Sequence, residues 1–144
     1  MIEVNDHVVQ FFATPGYGEM LRRERHYSQA VRIGNRVEIS GQGGWDDHLN
    51  FPDSLEDEIV RAFDNVARTL EAAGASWRDV VHVNSYHVVN DPNAFETHNS
   101  VMIEQMRTRM PGHAPIWTET GVTTLAATGM RVEIRVTAID QRHA

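Results

Sequence analysis

The most constraining stretch is SLEDEIVRAFDNVARTLEAAG, residues 54–74. Leu55, Ile59, Phe63, Val66 and Leu70 recur three or four positions apart and fall on one stripe of a helix, with charged residues on the opposite side. Ser54 is placed to cap the start, Glu56 and Asp57 suit the positive first turn, and Gly74 suits the stop. A one-sided apolar stripe must be buried against something flat, and the rest of the chain offers strands to make a sheet.

AVRIGNRVEIS, residues 30–40, alternates on either side of Gly34 and Asn35, as a β-hairpin does. Val31 and Ile33 share a face, and Val37 and Ile39 repeat the pattern. VVHVNSYHVV, residues 80–89, is β-branched and long enough for a central strand. DPNAFETHNSVMIEQMRTRM, residues 91–110, reads as a second helix with Pro92 near its first turn. Phe95, Met102 and Met106 form its apolar face, with His98 and Asn99 on or beside it. In the last strand Val132, Ile134, Val136 and Ala138 take one face, and Arg131, Glu133, Arg135 and Thr137 the other. Residues 1–25 are the least regular: ATPGYGE, 13–19, reads as loop, and RRERH, 22–26, as a charged lead-in. The order is ββαβαββ, an α+β sheet with two helices on one face. The other face has no helix left to cover it, and oligomer contacts commonly close such a face.

Composition narrows the function. The 144 residues carry a net charge of −7 from 20 acidic and 13 basic side chains, which argues against nucleic acid as the main partner. There is no Cys, so disulfide and thiolate chemistry are excluded. The eight His lack metal-ligand spacing, and no phosphate-binding or dinucleotide-binding glycine motif is present. No metal and no cofactor are therefore expected. No apolar run approaches the ~20 residues of a membrane span. MIEVNDHVVQFF lacks the features of a secretory signal, so the expectation is a cytoplasmic protein without a membrane partner.

Several residues admit two readings. An antiparallel hairpin sets its outer ends side by side, so Tyr27 and Ser28 should lie near Ser40, Gly41 and Gln42. Gly41, Gly43 and Gly44 either form a turn or let a ligand approach backbone N–H groups. Glu133 is either a surface partner of Arg131 or Arg135, or a buried acid whose pKa desolvation would raise. Asn99 is either solvated or orients a ligand carbonyl.

YSQAV at 27–31, ISGQ at 39–42, FDNVARTLEAAGAS at 63–76 and VEI at 132–134 stand in order, and together they resemble the Rid (reactive intermediate deaminase) family, also called YjgF or L-PSP endoribonuclease-like. The resemblance covers roughly residues 26–140, which leaves 1–25 as an N-terminal extension to a domain of residues 26–144. It implies a chorismate-mutase-like fold and a homotrimer with ligand clefts between subunits. It implies hydrolysis of enamines and imines such as 2-aminoacrylate, with Glu133 as the acid and Tyr27, Ser40 and Gly41 lining the cleft, joined by Asn99. The family binds the substrate carboxylate with an Arg in a Pro-Ala-Arg sequence. Here HAPIWTE, residues 113–119, puts Trp117 in that place, and no Arg lies between Met110 and Arg131.

An indole offers one donor and no charge. Trp117 is either interface packing or a flat wall for a larger ligand, and Glu119, two residues on, shares its facing. The expected cleft thus holds Trp117, Glu119 and Glu133, and the extension covers it with Phe11, Phe12 and Tyr17 as contacts. The function read from this is a hydrolase or deaminase acting on an imine, enamine or related small metabolite in an inter-subunit cleft, not the standard 2-aminoacrylate deaminase, with weak or absent 2-aminoacrylate turnover. The alternative is a non-catalytic trimeric module that binds or senses a small molecule. A ribonuclease role ranks below both because there is no basic stripe.

Overall fold

The computed structural model describes residues 2–4 and 7–143. Met1, Asn5, Asp6 and Ala144, which fall within the predicted extension and at the end of the predicted domain, lie outside the described residues. In chain order the elements are β1 (Ile2–Val4), β2 (His7–Phe12), α1 (Tyr17–Arg25), β3 (Ala30–Ile33), β4 (Arg36–Ile39), α2 (Leu55–Ala72), β5 (Val80–Val88), α3 (Phe95–Arg109), β6 (Ile116–Val122) and β7 (Val132–Ile139). One seven-stranded sheet runs β1-β2-β3-β4-β7-β5-β6. β5 and β6 are parallel, and the other pairs are antiparallel.

The helix at 54–74 forms as its pattern requires. The Ser54 side chain accepts from Asp57 N–H. At the other end Gly74 takes φ 81°, and the amides of Gly74 and Ala75 return to the carbonyls of Glu71 and Leu70, which satisfies the last turn. Ile59, Phe63, Val66 and Leu70 are fully buried against Val37, Ile39, Val132, Ile134, Val136 and Ala138. Trp77 closes the far side by stacking on Phe63 at 5.0 Å between ring centres. Met102 of α3 enters the same core, so α2 and α3 cover one face of the sheet.

The hairpin register corrects one detail. Ala30 pairs with Ile39 and Arg32 with Val37, whereas Val31 faces Glu38 and Ile33 faces Arg36. Val37 and Ile39 therefore point to the core, and Val31 and Ile33 to the uncovered face. Gly34 alone in the turn has positive φ, and a two-residue loop leaves the register no slack. The uncovered face carries Glu38, Arg135 and Thr137 in a hydrogen-bonded group, with Arg36 on the other Glu38 oxygen at 2.7 Å.

The N-terminal segment differs from the sequence reading. Residues 2–4 and 7–12 add two strands to the sheet, and Tyr17–Arg25 is a helix where loop and lead-in were expected. Only Tyr17 and Leu21 of α1 bury large apolar groups, one turn apart, against Trp45 and Met130. Two such contacts in nine residues give too weak a period to read, and tertiary packing supplies the rest. Among the described residues no helix is long and apolar enough to cross a membrane.

Candidate active site

The outer ends of the β3–β4 hairpin are tied together as antiparallel pairing demands. Ser40 N–H donates to Gln29 O at 2.8 Å, and Ser40 Oγ donates to Ser28 O at 2.7 Å. The chain then crosses to β7, where Gln42 and Ile134 exchange backbone hydrogen bonds of 2.8 and 2.9 Å. That bridge sets Gly41 directly over Glu133. A Cβ at Gly41 would collide with Glu133 Oε1 and stand 2.6 Å from its Cδ, so only glycine leaves room for the carboxylate here.

A buried amide fixes this floor. Gln42 Nε2 donates to Gln29 Oε1 at 2.7 Å and to Ser40 O at 3.1 Å, while its Oε1 accepts from the Tyr17 hydroxyl at 2.7 Å. Asn65 Nδ2 holds the following loop through the carbonyls of Gly43 and Trp45. Tyr27, Ser40, Gly41 and Glu133, four of the residues expected from sequence, line one cavity of about 510 Å³. Leu21, Trp45, Phe51 and Met130 make its apolar wall, and Arg25 at the end of α1 is its cation.

Burial pushes the Glu133 carboxyl above the ordinary carboxylate range. The surface ion-pair reading of this residue does not hold, because Arg131 binds Glu58 at 2.6 Å and Arg135 binds Glu38 at 3.3 Å. Among the described residues Glu133 has no ion-pair partner. Tyr27 is also raised, chiefly by burial, and the Glu133 charge adds to this while Arg25 opposes it.

Asn99, Trp117 and Glu119 form a second cluster. In β5, Ser85 pairs with Glu119 on one side and Ile134 on the other, while its neighbour Tyr86 pairs with Glu133. Successive strand residues face opposite ways, so Trp117 and Glu119 lie on the helix-covered face and Glu133 on the uncovered one. Within one chain this register therefore keeps Trp117 and Glu119 apart from Glu133, on opposite faces of the sheet.

On the covered face a polar chain runs through the sheet. Trp117 Nε1 donates to Ser85 Oγ at 2.9 Å, and Ser85 Oγ lies 2.7 Å from His87 Nε2. His87 Nδ1 lies 2.8 Å from His98 Nδ1. Burial, and then the charge of His98, holds His87 down to about 3. Burial also lowers His98, so both rings are neutral at pH 7. Glu119 Oε2 is 3.2 Å from His87 Nε2 but off the line of a hydrogen bond, and among the described residues it and Asn99 Oδ1 are buried acceptors without a donor. Burial raises Glu119, with the Asn99 amide working against it. No group of three His, Cys, Asp or Glu side chains among the described residues is arranged to hold a metal ion.

Sequence reasoning passed over Ser85 and His87, although two polar residues on the core-facing side of a β-branched strand are a signal. It also passed over Arg25, which lies in the segment read as a charged lead-in. Of the extension's expected cleft contacts, Phe11 lines a neighbouring cavity of about 740 Å³, Phe12 packs against the core, and Tyr17 is buried under Gln42.

Residues 19–140 match the family described as Endoribonuclease L-PSP. The RutC family protein YjgH of Escherichia coli K12 is 39% identical over 126 residues, covering 86% of this chain and 90% of that protein. A 2-iminobutanoate/2-iminopropanoate deaminase of Dermatophagoides farinae is 37% identical over 92 residues, covering 62% of this chain and 70% of that protein. The solved structure of protein YJGH superposes with a TM-score of 0.76 at 30% identity, covering 90% of this chain and 95% of that one.

Proposed function

The chain belongs to the endoribonuclease L-PSP family, and from that premise we propose that it is a hydrolase of the deaminase type, acting on an imine or enamine in the cavity of Glu133. The observation that carries this reading is a half-buried carboxyl, raised by burial and without an ion pair among the described residues, standing in an open cavity with Tyr27, Ser40 and Gly41. A raised carboxyl holds and releases a proton nearer neutral pH than a solvated one, as general acid–base work needs. Water adds to the imine carbon, its oxygen forming the new bond as Glu133 takes its proton and the nitrogen takes up the π pair. Glu133 returns the proton to nitrogen, giving the carbinolamine. It then takes the hydroxyl proton and passes it to nitrogen as the C–N bond breaks, so that the carbonyl forms and ammonia leaves. Relatives named as imine deaminases support the reaction class.

The working form in this reading is a homotrimer. Its support is the uncovered sheet face, where Phe11 is 54% and Ile116 66% exposed, and the separation of Asn99, Trp117 and Glu119 from Glu133 on a single chain. A cleft shared between neighbours would let the two clusters meet, with Asn99 Oδ1 and Glu119 Oε2 as acceptors for the N–H groups of an iminium. The cavity is lined, not filled, by the N-terminal segment, which favours catalysis over a closed sensing module.

An L-amino-acid oxidase generating imines from alanine, leucine and phenylalanine, with ammonia release followed, tests the activity. Faster imine loss with the protein for at least one imine is expected, with 2-aminoacrylate turned over weakly, and no acceleration for any would overturn the reading. Light scattering tests the assembly: a mass three times that of the 16.3 kDa chain is expected, and a monomer contradicts the shared cleft.

A further inference from the structure

Position 117 has no guanidinium, yet the cavity of Glu133 does have one. Arg25 is the last residue of α1. His26 follows in the left-handed conformation, φ 60° and ψ 45°, and turns the chain so that Tyr27 comes back into the same cavity. Arg25 acts electrostatically on Tyr27, against the effect of Glu133, so the three groups share one space. The arginines flanking Glu133 in sequence are committed elsewhere, Arg131 to Glu58 and Arg135 to Glu38. Arg25 has no ion-pair partner among the described residues.

The helix that presents Arg25 is held firmly. The Tyr17 hydroxyl is bonded to the buried Gln42 amide, and Arg68 both lies over the Tyr17 ring at 5.0 Å and donates to Pro15 O at 3.0 Å. Leu21, one turn before Arg25 on the same helix, joins Trp45, Phe51 and Met130 in the cavity's apolar wall, with Trp45 and Phe51 meeting edge to face at 6.4 Å between ring centres. A space of about 510 Å³ is within the range that holds whole drug-sized ligands. It is far more than a three-carbon acid fills.

We infer that Arg25 is the carboxylate anchor of this cavity, and that the ligand is a 2-imino or 2-enamino acid with a large apolar or aromatic side chain lying against Trp45 and Phe51. The inference rests on the reading of the cavity as the reaction site, and it adds which charge replaces the one missing at Trp117 and which substrates follow. A guanidinium meets a carboxylate through two parallel N–H bonds. An aromatic wall takes the remainder of the ligand out of water.

Calorimetric titration separates this from the catalytic reading, because it needs no turnover. The probes are phenylpyruvate, the expected product of the imine from phenylalanine, with phenylacetone, which has the same body without the carboxylate, and phenethylamine, which carries the opposite charge. Phenylpyruvate is expected to bind the native protein and to lose about ten- to a hundredfold in affinity in Arg25→Ala. Arg25→Lys should recover part of it, and Arg23→Ala, on an exposed residue outside the cavity, should change nothing. Phenylacetone should bind the native protein and Arg25→Ala equally weakly. No phenylpyruvate binding to the native protein, a change under twofold in Arg25→Ala, an equal loss for phenylacetone, or tighter binding of phenethylamine would each overturn the inference. Arg25-dependent binding without hydrolysis keeps Arg25 and removes the catalytic role, whereas hydrolysis indifferent to Arg25→Ala does the reverse.

Discussion

Glu133 and Glu119 are carboxylates on nearby strands of one sheet, and burial raises both. Their surroundings diverge. Glu133 stands over Gly41 in an open cavity with no partner among the described residues, and the nearest cation lining that cavity is on a helix that sequence reading had missed. Glu119 sits on the covered face at the end of a chain of polar groups, Trp117, Ser85, His87 and His98, in which Ser85 and His87 are 1% and 0% exposed. The difference separates two uses of a buried polar group. Ser85 and His87, which neighbours satisfy, hold the structure in one arrangement, while Glu133, beside a cavity and without an ion pair among the described residues, is free for a ligand. Glu119 borders the satisfied chain, yet its Oε2 has no donor among the described residues.

That contrast predicts opposite responses to mutation. His87→Ala removes the link between Ser85 and His98, leaving His98 without that partner and Ser85 with Trp117 alone in a dry interior, so it should destabilise by about 2–4 kcal/mol, measured by urea unfolding. A near-neutral result would mean that water fills the gap and that the covered face is not dry. Gly41→Ala forces the Glu133 carboxylate aside, with an expected loss of about 1–3 kcal/mol from overpacking and a larger proportional loss of activity. Full activity in that variant would show that the position of the carboxylate over Gly41 is immaterial. Glu133→Gln should have the smallest effect on stability, with the protein at least as stable at pH 7 as the native form.

Acid should pull the two regions in opposite directions. The folded pKa of Glu133 is raised, so its contribution is most favourable below the ordinary Glu value of ~4.3 and is lost as pH rises through the folded pKa. His87 is depressed to about 3, so its contribution is present above ~6.5 and is lost as pH falls toward the folded value. Unfolding curves taken between pH 7 and pH 4 should show Glu133→Gln losing the acid-side gain. His87→Phe, which cannot take up a proton, should lose the acid-side penalty. Identical pH slopes for both variants and the native protein would remove the distinction between the two faces.

Much of this was legible in the sequence where period and chemistry agree. The stripe from Leu55 to Leu70, the Ser54 cap and the Gly74 stop were readable because each is a local property of a long helix. The grouping of Tyr27, Ser40 and Gly41 followed from hairpin geometry, and Glu133 joined them through the family resemblance. Strand period put Trp117 and Glu119 on a common face, yet which face that was depends on the pairing of β5 with both β6 and β7, a long-range fact that no local pattern encodes. Helix α1 was hidden because Tyr17 and Leu21 are its main apolar anchors and their partners, Trp45 and Met130, are far away in sequence. Arg25 was hidden with it.

The most direct test compares the two carboxylates by one kinetic constant. On whichever imine the native protein hydrolyses, kcat is measured for Glu133→Gln and for Glu119→Gln, with both variants shown to be folded by circular dichroism. Loss of general acid–base catalysis should lower kcat by about 10²–10⁴-fold in Glu133→Gln. Glu119→Gln should raise KM and lower kcat by less than tenfold. Equal losses in the two variants, or the larger loss in Glu119→Gln, would place the chemistry on the covered face and contradict the account.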